Sequence, residues 1–338
     1  MAEYARGVKM RLDKNERLVP DPALAREVLR AVPLRALTEY PDYGPFLAFL
    51  ARRLTCRPEN LLLTAGSDGA IKLAFEAYVD RGDEVVLPSP SFAMFGVYAA
   101  LAGARVRAVP FADDLSFPTE AVLAAIGRRT KLVPIATPNN PTGTEIDDGD
   151  LDRIVRRAAR VGALVLVDEA YYYFTRRTHR ALALRHDNVL LTRTFSKALG
   201  LAGLRIGFAC GRPGVIENLR KCQPIFDVNG LALRCADYVL RHEPRAWAYA
   251  ARVEEGKTYL DRALGALGFP VRRAAGNFVL VEAGPGAPRL ARRLAERGVT
   301  VGSGYPHPSL RGKLKITVGP VPVMRRFLSI FKRAAGGR

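Results

Sequence analysis

The sequence predicts an α/β protein: a large domain built on a mostly parallel sheet flanked by helices, followed by a smaller α+β domain. Three observations carry that expectation. From about residue 60 to 210, short β-branched or Leu-rich runs alternate with amphipathic stretches, the pattern of crossover-connected parallel strands. Beyond about Gly211 the alternation gives way to long helical stretches with few strands between them. The length, 338 residues, allows two unequal domains with ample chain for a core.

Taken in order, the first 20 residues carry no helical pattern and read as part of an extended arm, 1–25, that packs on the small domain or on a partner subunit. The large domain is expected over 26–225, with strands at Leu61–Thr64, Glu84–Leu87, Arg105–Val109, Lys131–Ala136, Ala163–Val167, Val189–Thr194 and Arg205–Ala209. Helices are expected between them near Ala70–Val79, Phe92–Leu101, Thr119–Ile126 and Asp150–Val161. The small domain, 226–338, holds helical stretches at Leu231–His242, Pro244–Leu267 and Pro288–Arg297, strands at Asn277–Val281 and Leu314–Val318, and a closing helix.

Composition narrows the function. No apolar run approaches the roughly 20 residues needed to span a bilayer, and Met1-Ala2-Glu3-Tyr4 carries no apolar signal core. The expectation is a cytoplasmic protein with no membrane partner. Cys56, Cys210, Cys222 and Cys235 form no C-x-x-C pair and only four His accompany them, which argues against zinc spacing or a disulfide framework; no metal is expected. The formal charge is +19, and only ten of the 52 basic residues are Lys. Arg residues such as Arg153, Arg156, Arg157 and Arg160 are dispersed along helical stretches without interleaved aromatics, so they read as solvated helix faces rather than a nucleic-acid surface.

In a parallel sheet, ligands gather beyond the carboxyl ends of the strands, where loops and helix N-termini meet. The first strand runs into Gly66-Ser67-Asp68-Gly69 and a helix, a natural phosphate cradle, although Ser and Asp are also ordinary N-cap residues. The strand ending at Ala136 leads into Thr137-Pro138-Asn139-Asn140-Pro141-Thr142-Gly143, a rigid turn carrying amide side chains. Asp168 follows the strand Ala163–Val167 directly, where partial desolvation demands a cationic or donor partner. Phe195-Ser196-Lys197 follows the next strand, with Arg205 eight residues beyond the lysine. A lysine so placed reads as a reactive amine, and Arg205 can grip a phosphate bidentately. Phosphate cradle, desolvated carboxylate, amine and arginine together match what pyridoxal 5′-phosphate requires.

These residues, in this order, resemble the fold-type-I pyridoxal-phosphate aminotransferases. The markers are Arg11-Leu12-Asp13-Lys14-Asn15-Glu16, Tyr40-Pro41-Asp42, Gly66-Ser67-Asp68, Pro90-Ser91-Phe92, Asn139-Asn140-Pro141-Thr142-Gly143, Asp168-Glu169-Ala170-Tyr171, and Arg193 to Lys197 continuing through Leu201-Ala202-Gly203-Leu204-Arg205-Ile206-Gly207. The resemblance implies Lys197 as the Schiff-base lysine and proton shuttle, Asp168 as partner of the pyridine nitrogen, and Asn140 and Tyr171 as donors to the cofactor's phenolic oxygen. It implies Phe92 stacked on the ring, Ser67, Asp68, Ser196 and Arg205 around the phosphate, and Tyr40 reaching the phosphate of a neighbouring subunit in a homodimer. The catalytic residues are then Lys197, Asp168 and Tyr171, and the partners a small amino donor and a 2-oxo acid acceptor.

Three departures fall where the family reads substrate anions. Lys315 stands in Leu314-Lys315-Ile316-Thr317-Val318-Gly319 where the pattern has Arg; Gly302 follows Gly298-Val299-Thr300-Val301 where a second Arg is usual; and Arg17-Leu18 replaces the usual Asn-Pro. Lysine is a point charge and not a planar fork. Lys315, Arg17 and Arg311 are the candidate substrate-binding residues. Transamination of histidinol phosphate with 2-oxoglutarate is the leading expectation. Transamination of other, aromatic amino acids, decarboxylation of threonine phosphate, and a catalytically silent regulatory protein are the alternatives.

Overall fold

The computed structural model describes residues 10–305 and 307–336. The first nine residues of the expected arm, and residues 337–338 of the expected small domain, lie outside the described residues. The strands in chain order are β1 (Met10–Leu12), β2 (Leu61–Thr64), β3 (Glu84–Ser89), β4 (Arg105–Pro110), β5 (Thr130–Ala136), β6 (Leu164–Asp168), β7 (Val189–Thr194), β8 (Gly207–Gly211), β9 (Val271–Arg273), β10 (Phe278–Glu282), β11 (Val299–Val301) and β12 (Lys313–Thr317).

Strands β2 to β8 form one seven-stranded sheet in the order β2-β8-β7-β6-β5-β3-β4. Its middle strands are buried on both faces. Leu164 and Leu166 of β6 enter one hydrophobic cluster while Val165 and Val167 enter the other, as the two-residue period of a strand dictates. Helices cover both faces. The helix Asp148–Ala159 turns Leu151, Ile154, Val155 and Ala158 inward at helical spacing, starts on an Asp147 cap that accepts from Gly149 N at 2.8 Å, and leaves Arg153 and Arg156 outside, paired with Glu120 and Asp152.

One strand departs from the expected direction. β8 runs antiparallel to both neighbours, β2 and β7. The segment between β7 and β8 contains only a 3-10 turn at Ala202–Leu204 and no crossover helix, so the chain turns back at the end of the sheet it has just left. Arg205 is consequently not a strand residue. It sits two residues ahead of β8 in a left-handed conformation with φ 50°.

The small sheet, β12-β10-β9, is antiparallel, and β1 of the arm pairs in parallel with β11 beside it. Met10 and Leu12 enter the core of this sheet with Tyr249, Val253, Met324, Phe327 and Phe331. The helix Gly230–Arg241, expected in the small domain, packs elsewhere: Ala232, Leu233, Cys235, Ala236 and Leu240 share one cluster with Val28, Phe46 and Leu50 of the large sheet's covering. A boundary at 225 therefore cuts a single hydrophobic core. The strands β9 and β11, three residues each, are too short to show a period in the sequence.

Within the small-domain core the helix Pro244–Gly265 passes closest to the end of β12 at Gly256, where an added Cβ would overlap the Gly319 carbonyl and lie 3.0 Å from Val318 Cγ1. Gly256→Ala is expected to lower stability by about 1–3 kcal/mol through overpacking. Denaturant titration checks this; an unchanged midpoint would contradict the close approach.

Candidate active site

The reversal of β8 brings three chain segments to one edge. Gly207, its first residue, pairs with Thr64 at the end of β2 and with Thr194 at the end of β7. A Cβ on Gly207 would lie 2.5 Å from Gly66 C and Ser67 N and 2.6 Å from the Arg193 carbonyl oxygen, so the segments pass this closely because the residue has no side chain. Above that crossing, the helix Gly66–Tyr78 points its unbonded N–H groups outward, and the Arg205 guanidinium lies against Gly66. Arg205 Nη1 donates to Ser196 Oγ and to the Ala202 carbonyl, each at 3.2 Å. Ser67 and Ser196 are buried beside it. This is an anion cradle made from a helix end, two hydroxyls and a guanidinium. Asp68 Oδ1 is buried there without a hydrogen-bond partner, and the nearby Tyr98 phenol is pushed up to about 12 by burial and by the Asp68 charge.

Asp168 closes β6, pairing in register with Ala136 and Thr192. It accepts a hydrogen bond from Thr192 Oγ1 at 2.9 Å. Burial pushes its carboxyl up to about 6, against the pull of that hydrogen bond and of Lys197. Lys197, just beyond β7, has its amine pushed down to about 8 by burial, with Glu16 and Asp168 opposing the shift and Arg205 adding to it. Its Nζ donates to the Lys14 carbonyl at 2.9 Å and stands 5.9 Å from the centre of the Tyr171 ring.

Tyr171 is buried edge-on to Phe278 at 5.7 Å, and its hydroxyl accepts from Asn15 Nδ2 at 2.7 Å. Burial raises its phenol well above the usual range. Because Asn15 fills an acceptor position, the phenol proton remains to be donated. Asn15 is itself held by Thr317 Oγ1, which accepts from its backbone N–H and donates to its Oδ1, both at 3.0 Å. Asn140 is oriented the same way: its Oδ1 accepts from Lys315 Nζ at 3.0 Å, leaving the amide N–H groups for the cleft. Lys315 is buried over the Phe278 ring at 5.5 Å, and its amine is pushed down to about 8 by burial and by the charge of Lys197.

Of the expected residues, Ser67, Asp68, Phe92, Asn140, Asp168, Tyr171, Ser196, Lys197, Arg205 and Lys315 line one cleft of about 570 Å³. Phe92 stands at its wall, edge-on to Phe95 at 5.7 Å. Three do not line it. Tyr40 is 79% exposed and stacks on Phe226 at 4.1 Å. Arg311 is exposed. Arg17 lies behind the lysine loop, its Nε and Nη1 donating to the Val19 and Ala198 carbonyls at 2.9 Å, with Tyr249 beneath it. Its hydrogen bonds are already made to backbone. The sequence reading leaves out Asn15, Thr192 and Tyr305. Asn15 sits inside a quoted marker and has φ 55°, whereas Thr192 is reachable only through the register of β6 on β7.

The Lys197 amine, with its value near 8, is mostly neutral above that pH. Its acetylation by dilute acetic anhydride, followed by peptide mapping on the protein without small-molecule ligands, is expected to rise to about pH 8 and then flatten. A rate still climbing towards the ordinary lysine range near 10.4 would contradict the environment described.

The chain matches the family model described as aminotransferase class I and II over residues 8–331. It is 36% identical over 332 residues to histidinol-phosphate aminotransferase 2 of Burkholderia pseudomallei, covering 97% of this chain and 92% of the relative. It is 35% identical to an aromatic amino acid aminotransferase of Corynebacterium glutamicum over 83% of this chain and 82% of the relative. Among solved structures, histidinol-phosphate aminotransferase from Sinorhizobium meliloti in complex with pyridoxal-5′-phosphate superposes with a TM-score of 0.87 at 26% identity, over 97% of this chain and 91% of that one. The chain is a member of the class I and II aminotransferases.

Proposed function

We propose that this protein is a pyridoxal-phosphate-dependent aminotransferase acting on histidinol phosphate and glutamate with their 2-oxo counterparts, as a cytosolic homodimer in histidine biosynthesis. The observation that carries the chemistry is the half-buried Lys197, its amine lowered to about 8, lining one cleft with Asp168 and the Arg205 anion cradle. The substrate reading rests on the relatives named as histidinol-phosphate aminotransferases.

The donor set fits the cofactor. Arg205, Ser67, Ser196 and the helix N-terminus suit its phosphate, and they leave room only because position 66 lacks a Cβ, which would lie 2.7 Å from Arg205 Nη2. Asp168, a buried carboxyl raised to about 6 even with Lys197 nearby, makes no ion pair among the described residues and suits a protonated ring nitrogen. Phe92 suits the ring face. The cofactor, when bound, supplies an electron sink for the charge left at the substrate Cα.

The chain's own residues do the rest. Lys197 Nζ, whose unprotonated fraction rises through the range around pH 8, would take the proton from the substrate Cα and return it one position away. Asp168, held by Thr192, would keep the proton on the ring nitrogen. Tyr171 and Asn140 would donate to the cofactor's phenolic oxygen, each kept in the donor sense by a partner of its own, Asn15 and Lys315. The dimer is supported by an exposed apolar patch around Tyr40, including Leu34 at 80%, Leu37 at 66% and Ile225 at 82% exposure, suited to burial against a second copy.

Incubating purified protein with pyridoxal phosphate, 2-oxoglutarate and a panel of amino donors tests the reading. Histidinol phosphate is expected to give the highest kcat/KM with glutamate as product. Aromatic amino acids as the best donors would move the assignment to an aromatic aminotransferase, and carbon dioxide release from threonine phosphate would overturn transamination. Lys197→Ala is expected to reduce turnover by at least 10⁴-fold while some cofactor still binds.

A further inference from the structure

The two departures from the family pattern in the small domain, Gly302 and Lys315, are neighbours. Each donates its backbone N–H to the other's carbonyl, at 2.9 and 2.8 Å, and the pair forms an isolated antiparallel bridge between β11 and β12. A Cβ on Gly302 would overlap the Tyr305 hydroxyl and lie 3.2 Å from Lys315 Cβ and Cε. The phenol of Tyr305 therefore occupies the space that any side chain at 302 would claim, and it lies against the stem of Lys315.

Both polar ends face the cleft that Lys197 occupies. Among the described residues Lys315 makes no ion pair, and its side-chain hydrogen bond, to Asn140 Oδ1, is to a neutral amide; the Asp13 carboxylate in the same cleft acts on it only from beyond ion-pair distance and is itself engaged by Lys14 and by Thr300 Oγ1. A buried ammonium without a counterion is costly unless an anion arrives to meet it. The Tyr305 phenol is kept protonated by burial, its value pushed up to about 12, and is a donor at any working pH.

We propose that the Tyr305 hydroxyl and the Lys315 ammonium together bind one anionic group of the substrate, each donating to a different oxygen, and that Gly302 is required because it leaves the phenol its place. The proposal deepens the aminotransferase reading above and rests on it for the identity of the substrates. Two point donors replace the planar guanidinium fork, so the site recognises charge with little demand on shape. A planar carboxylate and a tetrahedral phosphate ester can both satisfy it. One pair of residues would then serve an amino-acid donor and a phosphorylated amino alcohol in turn.

Tyr305→Phe in the holoenzyme is the direct test, with half-reactions followed for glutamate and for histidinol phosphate. A hydrogen bond to a charged group corresponds to about 10-fold or more in affinity. The half-saturating concentration is expected to rise by about that factor, with the limiting rate and the resting cofactor absorbance little changed. Loss with both donors supports a shared anion site; loss with glutamate alone assigns it to the carboxylate, and with histidinol phosphate alone to the phosphate. Calorimetric titration with succinate reads the carboxylate contact without turnover, and Gly302→Ala, which displaces the phenol while keeping Lys315, is expected to weaken succinate as Tyr305→Phe does. Wild-type protein that binds succinate but turns over no donor would contradict the aminotransferase reading and not this one. Unchanged half-saturation with both donors and unchanged succinate binding in Tyr305→Phe would overturn the proposal.

Discussion

Placing charge inside a low-dielectric cleft is the constraint on which the rest of this molecule turns. Asp168 and Lys197 at the carboxyl edge of the large sheet and Lys315 on β12 of the small sheet line one cleft partly withdrawn from water, and each is shifted towards its neutral form. Neighbouring opposite charge offsets only part of that cost. Asp168 pulls Lys197 back towards its ammonium form, while Arg205 and Lys14 push it the other way. The balance leaves an amine that gives up its proton near pH 8, well below the ordinary lysine range, so that a much larger fraction is in the unprotonated state a nucleophile and general base requires. A fully solvated lysine at the same place would carry its proton and be inert.

The fold supplies that cleft by reversing one strand. With β8 turned antiparallel, the ends of β2 and β7 and the start of β8 converge, so helix N-terminus, lysine loop and arginine meet within one crossing made possible by Gly207. The arm and the small domain complete the wall from the other side. Asn15 reaches Tyr171, and Lys315 reaches Asn140, each across more than 150 residues of chain. Tyr171 and Asn140 are thus each fixed by a second residue from a different element, which reduces the reorganisation left for the moment of reaction.

Residues that touch the cleft from strand ends were legible in the sequence because their position is local: Asp168 follows its strand directly, and Ser196-Lys197 follows the next. The seven strands of the large sheet were legible for the same reason, through apolar runs and their spacing. What the sequence hides is relation across distance. The direction of β8 depends on a missing crossover helix; the packing of the helix Gly230–Arg241 on the large core depends on which face finds a partner; and Arg17, a charged residue near the right marker, is drawn behind the loop by two backbone carbonyls. Tyr305 belongs to no motif, and only the missing side chain at Gly302 reveals why it sits where it does.

The central claim is that the cofactor joins the protein at one nitrogen, Lys197 Nζ. Reducing the cofactor-loaded protein with borohydride and mapping the modified peptide measures this directly. A single pyridoxyl adduct is expected, on the peptide containing Phe195-Ser196-Lys197. An adduct on Lys315, Lys14 or any other lysine in its place, or none at all, would contradict it.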